Sequence, residues 1–237
     1  GFAEISQSTP VASTTADNSR RILASNHILP CEWSQKRPLE RGAAVVNSPL
    51  MDEGIRSASY GVLSDAQVEA IRLEASDGFP SSTLPVLLYR GAFGAPRITE
   101  VRAAAEIAAR TIEKTFALHR WSGGWRDGIY DYHHFHSTAH EVLGCFSGRA
   151  TVQVGGPRGP HVVVAAGDVL VLPAGAAHKR VAASQDFRVV GAYERGRSYD
   201  MQIGDPSSRR ASEQRIREVP SPEFDPVYGD GGPLLLA

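Results

Sequence analysis

The sequence predicts a mainly β fold: a single β-barrel or sandwich behind an N-terminal extension that is partly irregular, with one or two helices. After Gly128, short apolar segments recur about every ten residues and are separated by Gly, Pro, Asp or Ser, which is typical of all-β barrels and sandwiches. Nothing in the N-terminal third resembles a second copy, which indicates one barrel. We place the extension at residues 1–82 and the domain at residues 83–237, with the barrel core at about 128–195.

Composition restricts the class of protein. Hydrophobic residues make up 42% of the 237 residues, which is enough for a packed core and too many for a largely disordered chain. A formal net charge of −1 gives no long-range attraction to nucleic acid or to an anionic membrane. No run approaches the ~18 apolar residues that span a bilayer. The two cysteines, Cys31 and Cys145, form neither a disulfide framework nor a CxxC motif, so we expect a cytoplasmic protein.

Two helices and one strand are predicted before the barrel. "LSDAQVEAIRLEA" (Leu63 to Ala75) has apolar residues at helical spacing behind a capping Ser64. "LPVLLYRG" is a strand pattern. "ITEVRAAAEIAARTIEKTFALHRW" predicts a long helix capped by Thr99, with its apolar residues on one face.

The segment "YDYHHFH" begins the barrel and carries the first candidate ligands. Alternate side chains of a strand share a face, so His134 and His136 point the same way and His133 points oppositely. Imidazoles about 6.6 Å apart along a strand can both reach one ion. Glu141 opens the next segment and can supply an oxygen. His178 follows a Pro-Ala-Gly turn, where the chain would fold back beside the first pair.

These spacings resemble the two motifs of the cupin superfamily. The first motif is Gly128, five residues, His134-x-His136, four residues, Glu141, six residues and Gly148. The second is Gly167, five residues, Pro173-x-Gly175, two residues and His178, and only Ala182 departs from it, where the pattern has Asn. More narrowly, "YDYHHFHSTAHEVLG", "AGDVLVLPAGAAHK" and "DFRVVGAY" look like the YjlB-like single-domain cupins. That resemblance covers about residues 84–231.

The resemblance implies a jelly-roll barrel with a divalent metal at its mouth, held by His134, His136, Glu141 and His178. Three imidazoles and a carboxylate suit Fe, Mn, Ni or Zn, and the sequence does not choose among them. The Asn that Ala182 replaces is not a ligand in the family, so its loss bears on a turn or a neighbouring contact.

Neighbouring residues give candidates for catalysis. His140 has a spacing from His136 that suits a helix, so we place it beside the ligands or at the mouth, with proton transfer as an alternative role. Tyr130 and Tyr132 share the parity of the ligand histidines, and either pack inside the barrel or contact substrate. Arg180 shares the parity of His178 and either clamps a substrate carboxylate or faces water. We expect Cys145 to be a buried small hydrophobe.

Two functions remain open. One is a metalloenzyme acting on a small polar molecule, rich in carboxylate or oxygen, by oxygenation, isomerisation or decarboxylation, all of which occur in the resembled superfamily. The other is a non-catalytic module, a small-molecule-binding or storage-type barrel with a structural metal. We expect a small-molecule substrate, no nucleic-acid or membrane partner, and a homodimer that covers exposed strand edges.

Overall fold

The computed structural model describes residues 29–30, 62, 66–76, 78–94 and 100–237. Within these residues the chain forms two α-helices, α1 (Val101–Leu118) and α2 (Arg209–Glu218), and two short 3-10 helices, Pro206–Ser208 and Pro233–Leu236. The strands described are β1 (Leu29–Pro30), β2 (Gln67–Ile71), β3 (Val86–Arg90), β4 (Trp121–Asp127), β5 (Glu141–Ser147), β6 (Arg149–Val154), β7 (His161–Ala165), β8 (Val169–Leu172), β9 (His178–Ala183) and β10 (Arg188–Glu194).

The strands form two antiparallel sheets. The larger sheet has the order β1-β2-β3-β8-β5-β10-β4, and the smaller has the order β7-β6-β9. Apolar side chains from both sheets fill the space between them, including Leu143 of β5 and Val152 of β6. The predicted mainly β fold is therefore confirmed, and its two facing sheets form the sandwich that a jelly roll requires.

Helix α1 covers the outer face of the larger sheet. Its buried residues Ile112 and Phe116 pack against strands β3, β5, β8 and β10. A Cβ at Gly144 of β5 would lie 2.5 Å from Ile112, so the glycine lets the helix approach the sheet closely. The predicted long helix is confirmed, but Glu100 caps it: its side chain accepts from the N–H groups of Arg102 and Ala103. The predicted cap, Thr99, lies outside the described residues.

The helix predicted over Leu63 to Ala75 is wrong, because Gln67–Ile71 is a strand. β2 pairs with β3 along its whole length, from Gln67 with Arg90 to Ile71 with Val86. Val68 and Ala70 pack on the helix-covered side of the sheet, whereas Ile71 packs between the sheets. As a strand, this segment forms hydrogen bonds with the edge of β3, which would otherwise be unpaired. Pairing in the folded protein therefore overrides the local helical spacing. Residues 63–65, including the predicted cap Ser64, lie outside the described residues.

Four of the described strands of the larger sheet, β1 to β4, precede the predicted barrel core. β2 falls in the predicted extension, yet it pairs with β3 of the predicted domain. β4 pairs with β10 at the opposite edge of the sheet. The other described residues of 1–82 are few, and most of the extension lies outside the described part of the chain.

Neither α-helix in the described part of the chain has the length and hydropathy that a membrane-spanning helix needs.

Candidate metal centre

The strand predicted for "YDYHHFH" is wrong: residues 131 and 132 form bends, and the segment between β4 and β5 pairs only at isolated positions. His134 bridges to His178, and Phe135 bridges to Gln202. The predicted alternation nevertheless holds. His134 and His136 are buried and line the cleft between the sheets, whereas Phe135 and His133 lie against Phe79 on the opposite side. His133 is thus separated from the other two histidines by the direction of its side chain.

The four predicted ligand residues come together at one end of the sandwich. Glu141 is the first residue of β5 in the larger sheet, and His178 is the first residue of β9 in the smaller sheet. The ring centroids of His134 and His178 are 4.2 Å apart, and those of His134 and His136 are 5.7 Å apart. Glu141 Oε2 lies 3.4 Å from Nε2 of both His136 and His178. Two sheets and one connecting segment therefore build the cluster.

Backbone carbonyls orient all three imidazoles. Nδ1 of His136 lies 2.6 Å from the carbonyl of Asp200, and Nδ1 of His134 and of His178 lie 3.2 Å from the carbonyls of Tyr132 and Ala176. A carbonyl only accepts, so each Nδ1 carries the proton and each Nε2 has its lone pair free in the neutral ring. This arrangement of the outer nitrogen is typical of metal-binding histidines.

The turn before β9 supports the same cluster. The Gly175 N–H donates to the His136 carbonyl at 2.8 Å. Gly175 has φ of 89°, and a Cβ there would lie 2.8 Å from Ile216 of α2. The glycine of the Pro-x-Gly turn is therefore required by both its backbone conformation and the close approach of the helix.

Glu141 is positioned by a chain of two aromatic residues. Its Oε1 lies 3.2 Å from the Tyr193 hydroxyl, which lies 3.1 Å from Trp125 Nε1. An indole N–H can only donate, so the Tyr193 oxygen accepts from Trp125 and directs its own proton to Glu141. The Trp125 ring fits because residue 191 is glycine: a Cβ there would lie 2.2 Å from the indole.

The second oxygen of Glu141 is buried without a hydrogen-bond partner. The residue is 3% exposed, and Oε2 lies 3.4 Å from the Nε2 atoms of His136 and His178. A buried carboxylate oxygen without a donor costs free energy unless a cation compensates it. Two donors that each bind an ion at ~2.1 Å in tetrahedral directions would be about 3.4 Å apart. The chemistry of the donor set and the separations at Glu141 thus fit a divalent ion.

The shifts in pKa favour neutral imidazoles at His134 and His178 and an ionised carboxylate at Glu141, which are the forms that bind a cation. Burial, with the neighbouring His134, lowers the pKa of His178 to about 3, and burial lowers the pKa of His134. Burial acts the same way on His136, but Glu141 outweighs it and the pKa of His136 is raised. For Glu141, burial opposes ionisation, but the three histidines outweigh it and lower the pKa of the carboxyl. Glu141 is therefore an anion at neutral pH.

The donor atoms do not yet form a complete ion site. In the part of the chain that the structure describes, no group of three or more His, Cys, Asp or Glu side chains is arranged to hold a metal ion. The four residues are close, but all four donors do not meet at one point.

His140, a predicted candidate for proton transfer, has both ring nitrogens occupied. Nδ1 accepts from the Ala174 N–H at 3.0 Å, and Nε2 lies 3.1 Å from the Pro220 carbonyl. Burial lowers the pKa of this imidazole to about 4. The residue does not line the cleft. His140 thus connects the turn before β9 to the segment after α2, and neither ring nitrogen is free for proton transfer.

Of the other predicted candidates, Arg180 and Tyr130 line the cleft, whereas Tyr132 and Cys145 do not. Arg180 is half-buried in the lining, and its Nε donates to the Ile129 carbonyl at 3.0 Å. Tyr132 is exposed and stacks on Tyr130, which lines the cleft, with ring centroids 5.0 Å apart. Cys145 is buried between the sheets, as expected of a small hydrophobe.

Sequence reasoning missed the residues that support the ligands. Tyr193 lies opposite Glu141 in the β5–β10 register, and no spacing rule reveals that register. Asp200 is in a loop, where its carbonyl holds His136 and its carboxylate accepts from the Ser137 N–H at 2.6 Å. The only local signal was the alternation of "FRVVGAY", which places Val189, Gly191 and Tyr193 on one face.

An open cleft of about 720 Å³ leads to the cluster. Its volume lies in the range of small-molecule sites. Tyr130, Arg180, Tyr199 and Met201 are among the side chains that line it.

Comparison with curated proteins found a relative in Bacillus subtilis (strain 168). The chain is 40% identical over 123 residues to the uncharacterised protein YjlB, and the match covers 52% of this chain and 74% of YjlB. No family model matches the sequence.

Comparison with solved structures found weaker similarity. Acireductone dioxygenase from Bacillus anthracis, with a cadmium ion in its active centre, is 20% identical with a TM-score of 0.27, covering 42% of this chain and 62% of that chain. Procruciferin, an 11S globulin of Brassica napus, is 23% identical with a TM-score of 0.28, covering 34% and 21%. Solanum melongena vicilin is 18% identical with a TM-score of 0.29, covering 40% and 33%. At these TM-scores the similarities carry no argument about the site.

Proposed function

The chain belongs to the family of the Bacillus subtilis protein YjlB, and we propose that it is a metal-dependent enzyme of the cupin type that acts on a small acidic organic molecule. His134, His136, His178 and Glu141 hold one divalent ion, which is Fe, Mn, Ni or Zn. One observation carries this proposal: Glu141 Oε2 is buried without a donor, 3.4 Å from Nε2 of two histidines whose Nδ1 atoms are held by carbonyls.

The chain's own residues prepare the site for reaction. When bound, the ion supplies Lewis acidity toward substrate oxygens, or reactivity with dioxygen if it is iron. The carbonyls of Tyr132, Asp200 and Ala176 keep each Nε2 lone pair directed into the cleft. Tyr193 fixes Glu141 through Oε1 and leaves Oε2 free. Because these groups are already oriented, little reorganisation is needed when ion and substrate bind.

Arg180 gives the cleft its preference for an acid. It lines the same cleft as the four candidate ligands, and no ion pair joins it to a carboxylate among the described residues. A guanidinium without a protein carboxylate is suited to hold a substrate carboxylate in two hydrogen bonds. Oxygenation, isomerisation and decarboxylation all remain compatible with such a complex, because the scaffold alone does not select the reaction.

The alternative is a non-catalytic binding or storage-type protein with a structural metal. The open cleft beside the cluster favours the enzyme, since a structural ion is normally closed off by protein ligands. The metal itself separates the two candidates. Near-stoichiometric Fe, Mn or Ni supports the enzyme, whereas tightly held zinc that added iron does not replace supports the structural role.

The test is the elemental analysis of untagged protein purified anaerobically without chelator, together with two matched variants. His136→Ala removes a proposed ligand, and His133→Ala removes a neighbouring imidazole that points away from the cluster. We expect about one ion per chain in the parent and in His133→Ala, and none in His136→Ala, with circular dichroism unchanged. A metal content unchanged in His136→Ala, or no metal in the parent even after reconstitution, overturns the site.

A further inference from the structure

Large apolar side chains are exposed at the mouth of the cleft. Tyr130 is 54% exposed, Tyr199 is 47% exposed and Met201 is 38% exposed, and all three line the cleft that leads to the candidate metal centre. Exposed apolar side chains that gather at a concave site, instead of being scattered over the surface, mark a place where a ligand binds.

The tyrosine rings are held in place beside the proposed ligands. Tyr199 stacks on the buried Tyr193 with ring centroids 4.5 Å apart and an interplanar angle of 20°. Its centroid is 4.7 Å from that of His136. Tyr130 stacks on Tyr132, and its centroid is 5.2 Å from that of His134. Two supported aromatic rings therefore flank the two histidines of the HxH pair.

Arg180 is the cleft arginine best placed to receive an anion. Arg126 also lines the cleft, but it is bound to Glu113 at 2.5 Å and to Glu106 at 2.7 Å. Arg180 instead donates to a neutral carbonyl through Nε, and its ion-pairing capacity is not taken up by a described carboxylate.

Arg188 also lines the cleft, but it donates to the Phe187 carbonyl at 2.6 Å and lies at the end of β10 remote from Tyr193. The backbone N–H of Arg180 donates to the Tyr130 carbonyl at 2.8 Å, so Arg180 is the guanidinium beside the aromatic walls.

We propose that the substrate is a small aromatic carboxylate, whose carboxylate binds Arg180 and whose ring packs against Tyr199, with Tyr130 as the second wall. Supported tyrosine rings recognise a flat π-system in offset or edge-to-face contact, which a saturated acid of the same size cannot reproduce. This inference rests on the proposed function in placing the substrate beside the metal, but recognition by Arg180 and Tyr199 needs no ion.

The experiment compares two acids that differ mainly in their rings. Benzoate and cyclohexanecarboxylate carry the same charge and are similar in size, but only benzoate is flat and aromatic. Isothermal titration of the full chain should give about tenfold tighter binding of benzoate, the factor that corresponds to an aromatic pair worth about 1.4 kcal/mol. Equal affinities, or no binding of either acid, overturn the inference.

Four variants locate the contacts. Tyr199→Leu keeps an apolar side chain and should lower the preference for benzoate to below about threefold, while cyclohexanecarboxylate binding is retained. Tyr130→Leu should lower the preference for benzoate less than Tyr199→Leu does. Arg180→Gln should weaken both acids about tenfold or more, and the control Arg126→Gln should weaken neither. A preference that survives both tyrosine replacements, or equal effects of the two arginine replacements, contradicts the assignment.

Metal analysis of the parent protein, compared with these titrations, separates this inference from the proposed function. If the parent binds no metal but selects benzoate through Tyr199 and Arg180, the proposed enzyme fails and the aromatic-acid site stands. If metal binds as expected but the two acids bind alike, the proposed metal centre stands and the substrate class is wrong.

Discussion

The Tyr193 hydroxyl donates a hydrogen bond to Glu141 Oε1 at 3.2 Å, and the two residues face each other across the β5–β10 pair. Trp125 donates to the same hydroxyl and thereby fixes the direction of the Tyr193 proton. One carboxylate oxygen accepts a hydrogen bond from the protein, and the other has no hydrogen-bond partner.

Removing the Tyr193 hydroxyl should weaken metal binding without unfolding the protein. In Tyr193→Phe, Glu141 can rotate and Trp125 loses its acceptor, so we expect the dissociation constant to rise about 10–100-fold, as for other residues that support ligands. Competition with a chromophoric chelator measures this change. Tyr199→Phe is the matched control, because it removes a hydroxyl from the ring stacked on Tyr193. Equal metal affinity in Tyr193→Phe and the parent would contradict the role of this hydrogen bond.

His140 is expected to contribute to stability but not to metal binding. His140→Ala leaves the Ala174 N–H and the Pro220 carbonyl without their partner, so the free energy of unfolding should fall by roughly 2–3 kcal/mol. Urea titration measures this loss, and elemental analysis should find the metal content unchanged. Loss of metal at unchanged stability would instead assign His140 to the site.

Tyr89 and Asp225 hold the C-terminal segment on the outer face of the larger sheet. The Tyr89 hydroxyl donates to Asp225 Oδ2 at 2.5 Å, and the N–H groups of Val227, Tyr228 and Leu234 donate to the same carboxylate. Tyr89→Phe should lower the free energy of unfolding by about 1–3 kcal/mol, because the buried carboxylate loses a donor.

Thermal or urea unfolding checks the Tyr89 prediction, with Tyr132→Phe as the control on an exposed ring. Hydrogen exchange of the Leu234 amide should quicken in Tyr89→Phe and stay unchanged in the control. Unaltered stability in both variants would show that this contact is not needed.

Cys145 should be unreactive in the folded protein. Burial raises the pKa of its thiol from the ordinary 9.0 to about 12, so at pH 8.5 the thiolate fraction falls far below that of an unfolded chain. Alkylation by iodoacetamide, mapped by mass spectrometry, should be at least about 100-fold slower in native than in urea-unfolded protein. Comparable rates in the two states would contradict the burial of this side chain.

A homodimer remains a prediction, with residues 181–183 of β9 as the strand edge that a second copy would cover, because the first half of β9 already pairs with Tyr130 and His134. β9 is an outer strand of the smaller sheet, and its Val181 is 48% exposed. Light scattering at micromolar concentration should give twice the mass of the chain, and Val181→Glu should shift it toward the monomer, since it places a charge in the covered face. A monomeric parent would contradict the prediction.

Much of the fold was predictable because its signals are local. The alternation of apolar and polar residues after Gly128 follows from strands with one buried face, and the long helix follows from the spacing of Ala105, Ile112 and Phe116. The same reasoning failed for Leu63 to Ala75, where helical spacing predicted a helix but a strand forms. The free edge of β3 decides the conformation of Gln67–Ile71, and no pattern within the segment records that edge.

For the candidate site, the sequence by itself determined which side chains alternate toward the cleft: His134 and His136 on one side, His133 on the other. It also supplied Glu141 and His178 at the first positions of their strands. The tertiary structure alone decided that Tyr193 stands opposite Glu141, that a loop carbonyl at Asp200 orients His136, and that His140 is used for stability. The physical reason is that side-chain direction follows from the period of the backbone, whereas sheet register and loop contacts depend on the packing of the whole chain.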